Sequence, residues 1–130
     1  MIGLDTNVVI RYVVQDEPAQ AALASRIFEG LSDSSQGLVS TVTLVEVYWV
    51  LRRAYGVDRA SAADVLQGLL ESREIILEEP DAVRRAIRHV AHGGDFADSL
   101  ISELGIQAGC GYTWTFDRDA SRLPGMRLLT

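Results

Sequence analysis

Short apolar runs alternate along this chain with longer stretches in which apolar residues recur every three or four positions. Met1–Asp5, Gly37–Ser40, Glu74–Leu77, Tyr112–Phe116 and Met126–Leu129 are too short for helices and read as strands. Asn7–Val14, Pro18 to about Leu31, Thr41–Tyr55, Ser61–Ser72, Pro80 to about His92 and Asp95–Ala108 read as helices. Pro18 and Pro80 suit first helical turns, and Gly56 suits a helix end. Ser32–Gln36 is a polar loop, Gly93-Gly94 a break, and Arg118–Ser121 a helical turn. Short strands separated by helices predict an α/β fold whose parallel sheet is covered on both faces. Ligands of such sheets sit beyond the carboxyl ends of the strands.

Length and composition narrow the field. The 130 residues fit one domain spanning 1–130, and 48% apolar content supplies a core. No apolar run approaches the ~18 residues of a membrane span, and no secretory leader is visible, so no membrane role is expected. Cys110 is the one cysteine, which rules out an internal disulfide and favours a reducing, cytoplasmic setting. The net charge of −6 argues against broad, non-specific nucleic-acid binding. All 12 basic residues are arginine. A phosphate-binding P-loop and a Schiff-base mechanism both need lysine, so both are excluded.

Four acids stand beside core sequence. Asp5 ends the first strand, Glu46 interrupts the apolar run Leu44–Leu51, Asp98 lies on the apolar stretch Phe96–Leu104, and Asp117 ends the fourth strand. Each has a plain structural reading. Asp5 and Asp117 precede helical turns that Asp caps well, and Asp95 follows two glycines as a still better cap. Asp98 complements a helix dipole. Glu46, flanked by apolar residues, reads as buried and in need of a partner such as Arg53 or Arg11. The set says more than its members. Strand-end and helix-start positions favour convergence at one sheet edge. Close carboxylates repel by about 4 kcal/mol per pair in a protein-like dielectric. A fold that gathers them implies a hard divalent cation, and with it phosphate chemistry.

Other residues read as structural. His89 and His92 lack zinc-ligand spacing and read as surface histidines. Cys110 reads as a small packing residue, and Trp49 and Trp114 as core rather than base-stacking platforms. Arg52-Arg53 and the group Arg84, Arg85, Arg88 read as solvated helix faces, with phosphate contact as the alternative.

Asp5-Thr6-Asn7, Thr43-Leu44-Val45-Glu46-Val47, Asp95-Phe96-Ala97-Asp98-Ser99-Leu100-Ile101 and Thr115-Phe116-Asp117 together resemble the PIN-domain family. The likeness is greatest to its VapC-type toxin ribonucleases, and it covers essentially the whole chain. It implies a three-layer α/β/α sandwich with a central parallel sheet and a Mg²⁺- or Mn²⁺-dependent endoribonuclease. Asp5, Glu46, Asp98 and Asp117 match the family's acidic quartet as catalytic, metal-binding residues. Thr6, Asn7 and Thr115 match its supporting polar positions, and Asp95 and Asp119 are auxiliary acids. Ser99 stands where many relatives have alanine. The resemblance further implies RNA hydrolysis by metal-activated water, a homodimer, and a cognate antitoxin protein. Two alternatives stay open. Asp5-Thr6-Asn7-Val8 faintly resembles the nucleophile loop of haloacid-dehalogenase-like phosphatases, but Asn7 occupies their general-acid position. A receiver-like, non-enzymatic binding module would need a lysine that this chain lacks.

Overall fold

The computed structural model describes all residues from Met1 to Thr130. They form two compact units, Met1–Glu78 and Glu79–Thr130. No helix is long and apolar enough to cross a membrane.

The first unit contains β1 (Ile2–Gly3), α1 (Thr6–Val14), α2 (Pro18–Glu29), β2 (Gly37–Val39), α3 (Thr41–Arg53), α4 (Arg59–Glu71) and β3 (Ile75–Leu77). Its strands are parallel in the order β1-β2-β3, with Ile2 opposite Gly37 and Gly37 opposite Ile75. Gly37 is closely fitted: a Cβ there would fall 2.8 Å from Leu4 Cδ1, so a larger residue would have to displace that side chain. The core gathers Val9 and Ile10 of α1, Val39 of β2, Leu44, Val47 and Leu51 of α3, and Leu66 of α4. Two groups fix the start of α3. Ser40 caps it by accepting from the Thr43 N–H at 3.1 Å. The Glu78 carboxylate accepts from the Thr41 N–H at 3.0 Å and its hydroxyl at 2.9 Å. Those Thr41 bonds hold the Glu78 carboxyl below the usual range.

The second unit contains α5 (Pro80–Ala91), α6 (Phe96–Gln107), β4 (Thr113–Thr115), a 3₁₀ turn (Ala120–Arg122) and β5 (Met126–Leu128). Strands β4 and β5 pair in parallel, with Trp114 opposite Arg127. Helices α5 and α6 pack together as an antiparallel hairpin across Gly93-Gly94, burying Val83, Ala86 and Val90 against a stripe that includes Phe96 and Leu100. Gly94 is confined, since a Cβ would lie 3.0 Å from both the His89 carbonyl oxygen and Ser99 Oγ. Gly105 is tighter still: a Cβ there would meet Thr113 Oγ1 at 2.7 Å, so α6 passes close to β4 at this point.

The predicted elements all occur, with ends shifted by one or two residues. Several predicted environments do not. The first strand is exposed rather than buried, because β1 ends the sheet order and Ile2 is 44% accessible. Trp49 and Trp114 are exposed, at 57% and 51%, rather than core. Cys110 is exposed and free rather than packed.

Candidate functional site

The acids of the first unit, Asp5 and Glu46, stand just before α1 and on α3. Asp5 lies two residues past β1 and precedes α1 with extended backbone (φ −81°, ψ 162°), the conformation of an N-cap, yet its side chain makes no capping hydrogen bond. The capping explanation is therefore not realised at Asp5, and its exposed carboxylate is uncommitted. Glu46 corrects the sequence reading. It is exposed, because α3 buries Thr43, Leu44, Val47, Tyr48 and Leu51 and turns the stripe of Val42, Glu46, Trp49 and Arg53 outward. Neither proposed arginine pairs with it. Arg11 bonds Gln20, Asp16 and the Tyr55 hydroxyl instead, and Arg53 lies over the Trp49 ring at 5.9 Å. The partner of Glu46 is neutral: the buried Thr6 hydroxyl donates to its Oε1 at 2.9 Å. Asn7 is exposed beside Thr6 at the start of α1.

The acids of the second unit cluster around the start of α6. Asp95 caps that helix, accepting from the Asp98 N–H at 3.0 Å. Its backbone carbonyl takes the hydroxyl of buried Ser99 at 2.6 Å, which ties the cap to the helix interior. Asp117 also realises its capping role, with Oδ1 accepting from the N–H groups of Asp119 (2.8 Å) and Ala120 (3.1 Å). Thr115 Oγ1 accepts from the Asp117 N–H at 3.0 Å, fixing the backbone that carries this acid. Asp119 is solvated and lies 3.6 Å from Arg122.

Asp98 is half-buried in the first turn of α6. Burial pushes its carboxyl above the usual range, and the charges of Asp95 and Asp117 push it further the same way. No basic residue offsets this. A carboxylate whose neighbours are other carboxylates is a poor structural element and a good cation ligand. The donor chemistry, all hard oxygen, suits Mg²⁺ or Mn²⁺. No group of three or more His, Cys, Asp or Glu side chains is closed into a ready metal cage.

Sequence reasoning missed a second acidic centre. Glu103 of α6 is buried (4% accessible) and receives Arg85 Nε at 2.7 Å, while His89 Nε2 lies 3.0 Å from its other oxygen. Burial alone would raise this carboxyl. The hydrogen bonds and charges of His89 and Arg85 outweigh that and hold it below the usual range. Arg85 and His89 are thus not a solvated face and a surface histidine. They are spaced i, i+4 on α5, on the side that meets α6. That spacing, set against an acid on the buried stripe of α6, was the available signal.

No curated protein and no solved structure gives a significant match. A family model does, and its span takes in the strand-end acid Asp5, the helix-borne Glu46 and the acidic cluster of the second unit. Over residues 2–126 the chain matches the PIN domain, and it belongs to that family.

Proposed function

We propose that this PIN domain, a single domain over residues 1–130, is a Mg²⁺- or Mn²⁺-dependent endoribonuclease acting as the toxin of a type II toxin–antitoxin pair in the cytoplasm. PIN domains are α/β/α folds and generally metal-dependent nucleases. Membership of that family supports the nuclease reading over the phosphatase-like and receiver-like alternatives. The observation that carries the reading is the like-charged setting of Asp98, whose neighbours Asp95 and Asp117 are acids.

In this reading Asp5, Glu46, Asp98 and Asp117 have the cation-binding role of the family's acidic quartet. When bound, a divalent cation lowers the pKa of water and stabilises charge at the scissile phosphate. The chain's own groups set the directions. Thr6 anchors Glu46 by Oε1, leaving Oε2 as the donor atom. The Asp119 and Ala120 amides anchor Asp117 by Oδ1, leaving Oδ2. Such outer bonds fix ligand orientation. Asp98 holds no anchor and gains most from a counter-charge. Asp119 and Asp95 order water at the rim, and Asn7 contributes a polar contact beside Asp5.

A partner segment is supported by an apolar groove of about 390 Å³ on the first unit, lined by Asn7, Val8, Arg11, Leu23 and Ile27 among others. Leu23 and Ile27 are exposed there, at 55% and 44%. We assign this groove to an antitoxin segment, and other apolar helix faces to a homodimer.

Purified chain is incubated with total RNA in EDTA, then with Mg²⁺ or Mn²⁺. Cleavage is expected only with metal and not from Asp98→Asn. Undiminished cleavage by Asp98→Asn would sink the assignment. Unrestrained growth on expression of the wild-type chain alone would remove the toxin role and leave the nuclease reading in place.

A further inference from the structure

The second unit carries an exposed aromatic row that its acids do not use. Tyr112, Trp114 and Phe116 alternate along and just beyond β4, and all three are exposed, at 41%, 51% and 80%. Tyr112 and Trp114 share one face, with ring centroids 5.0 Å apart at 79°. Arg127, opposite Trp114 on β5, lies over both rings, 3.9 Å from the Tyr112 centroid and 5.9 Å from that of Trp114. Phe116 immediately precedes Asp117.

This is costly surface. Three solvent-facing aromatics on one short ladder exceed the scattered apolar exposure of ordinary surfaces. Its local charge also departs from that of the chain. The stretch from Tyr112 to Thr130 holds Arg118, Arg122 and Arg127 against Asp117 and Asp119, in a protein whose net charge is −6. Aromatic faces interleaved with guanidinium are what unpaired nucleobases and their phosphates recognise: every base has a π-face, and arginine serves both ring and phosphate. Alternate strand residues lie about 6.6 Å apart, a spacing that suits successive bases of an extended strand. A paired duplex hides those faces in its own stack.

We infer that Tyr112, Trp114 and Phe116, backed by Arg127, form a stacking platform for unpaired bases of single-stranded RNA, leading the strand toward Asp117. The inference rests on the nuclease reading for its substrate class. It assigns these side chains to binding and gives the enzyme a preference for unpaired over paired RNA.

The test is fluorescence anisotropy of a labelled, mixed-sequence single-stranded RNA titrated with the full chain in EDTA, where no cleavage occurs. Trp114→Leu keeps an apolar side chain without a π-face and is expected to weaken binding about tenfold. Trp114→Phe restores a ring and should retain most of the affinity. Arg127→Gln should weaken binding about threefold. The same sequence as a duplex should compete poorly. Wild-type affinity in Trp114→Leu overturns the platform, as does equal binding of duplex. A change of oligomeric mass in Trp114→Leu with RNA affinity intact also overturns it, by assigning the face to a second copy of the chain. The two readings fail separately. Trp114-dependent binding without metal-dependent cleavage removes the nuclease and leaves the platform. Cleavage with Trp114-independent binding does the reverse.

Discussion

Asp98 and Glu103 share helix α6, yet the fold treats them in opposite ways. Glu103 is the more buried, and the chain supplies it with two basic partners, the Arg85 guanidinium and the His89 imidazole. Asp98 receives none, and its neighbours Asp95 and Asp117 add to its cost. Their ionisation follows: the Glu103 carboxyl is held below its ordinary value and that of Asp98 above. Burial raises both, so burial is not what separates them. The difference is whether the protein neutralises its own acid. Where it does, the acid joins two helices. Where it does not, the acid is left to water, to a proton or to a bound cation, which is what the proposed ligand role would use.

The comparison breaks most sharply at Asp98. Asp98→Asn is expected to reduce metal-dependent RNA cleavage by more than about a hundredfold, beyond the ~10–100-fold typical of losing a supporting residue. Circular dichroism should remain that of the wild type. Glu103→Ala should do the reverse. Removing one partner of a fully buried pair costs about 3–5 kcal/mol; the groups left behind here, Arg85 and His89, keep partial access to water, so the loss should fall below that range, at about 1–3 kcal/mol. Urea unfolding would read that loss, and an unchanged midpoint would show that the pair contributes nothing.

The same pair has a pH signature. A carboxyl depressed in the folded state contributes stability above its unfolded value, close to the model value of 4.5, and loses it as pH falls through the lower folded value. Stability lost on acidification below that point should therefore be smaller in Glu103→Gln than in the wild type. Asp98 has the opposite sign. Its raised carboxyl favours the folded state below the unfolded value near 3.8, and that contribution is lost as pH rises through the folded value.

Two smaller effects sharpen the contrast. Thr6→Val removes the neutral anchor of Glu46 and should lower activity roughly tenfold while leaving the fold intact. In EDTA, Asp98→Asn should be more stable than the wild type by less than about 1 kcal/mol, since it relieves repulsion among partly solvated acids. Added Mg²⁺ should then raise the melting temperature of the wild type and not of the variant. Thermal melts with and without the ion check both.

Elements and chemistry were unequally legible in the sequence. Apolar periodicity placed every helix, and Pro18, Pro80 and the Gly93-Gly94 break located starts and stops. The order of acidic motifs led to the family. Burial was harder. Glu46 has apolar residues on both sides in sequence, but a helix sorts neighbours by angle, and Leu44, Val47 and Leu51 turn inward as Glu46 turns out. Trp114 lies in an apolar run, yet strand alternation puts it on the open face of a two-stranded ladder. The Glu103 pair was hidden for another reason. Its members come from two helices, and only the packing of the hairpin shows that they meet.

Gly105 brings a final consequence. Helix α6 touches β4 through a residue without a side chain, about two turns along from Asp98, while β4 leads directly to Asp117. Beside Thr113 Oγ1 there is room at position 105 for a hydrogen and not for a methyl. An added methyl at 105 would have to turn that hydroxyl aside or push helix from strand, so a shim of one carbon would register at the root of the segment that ends in Asp117.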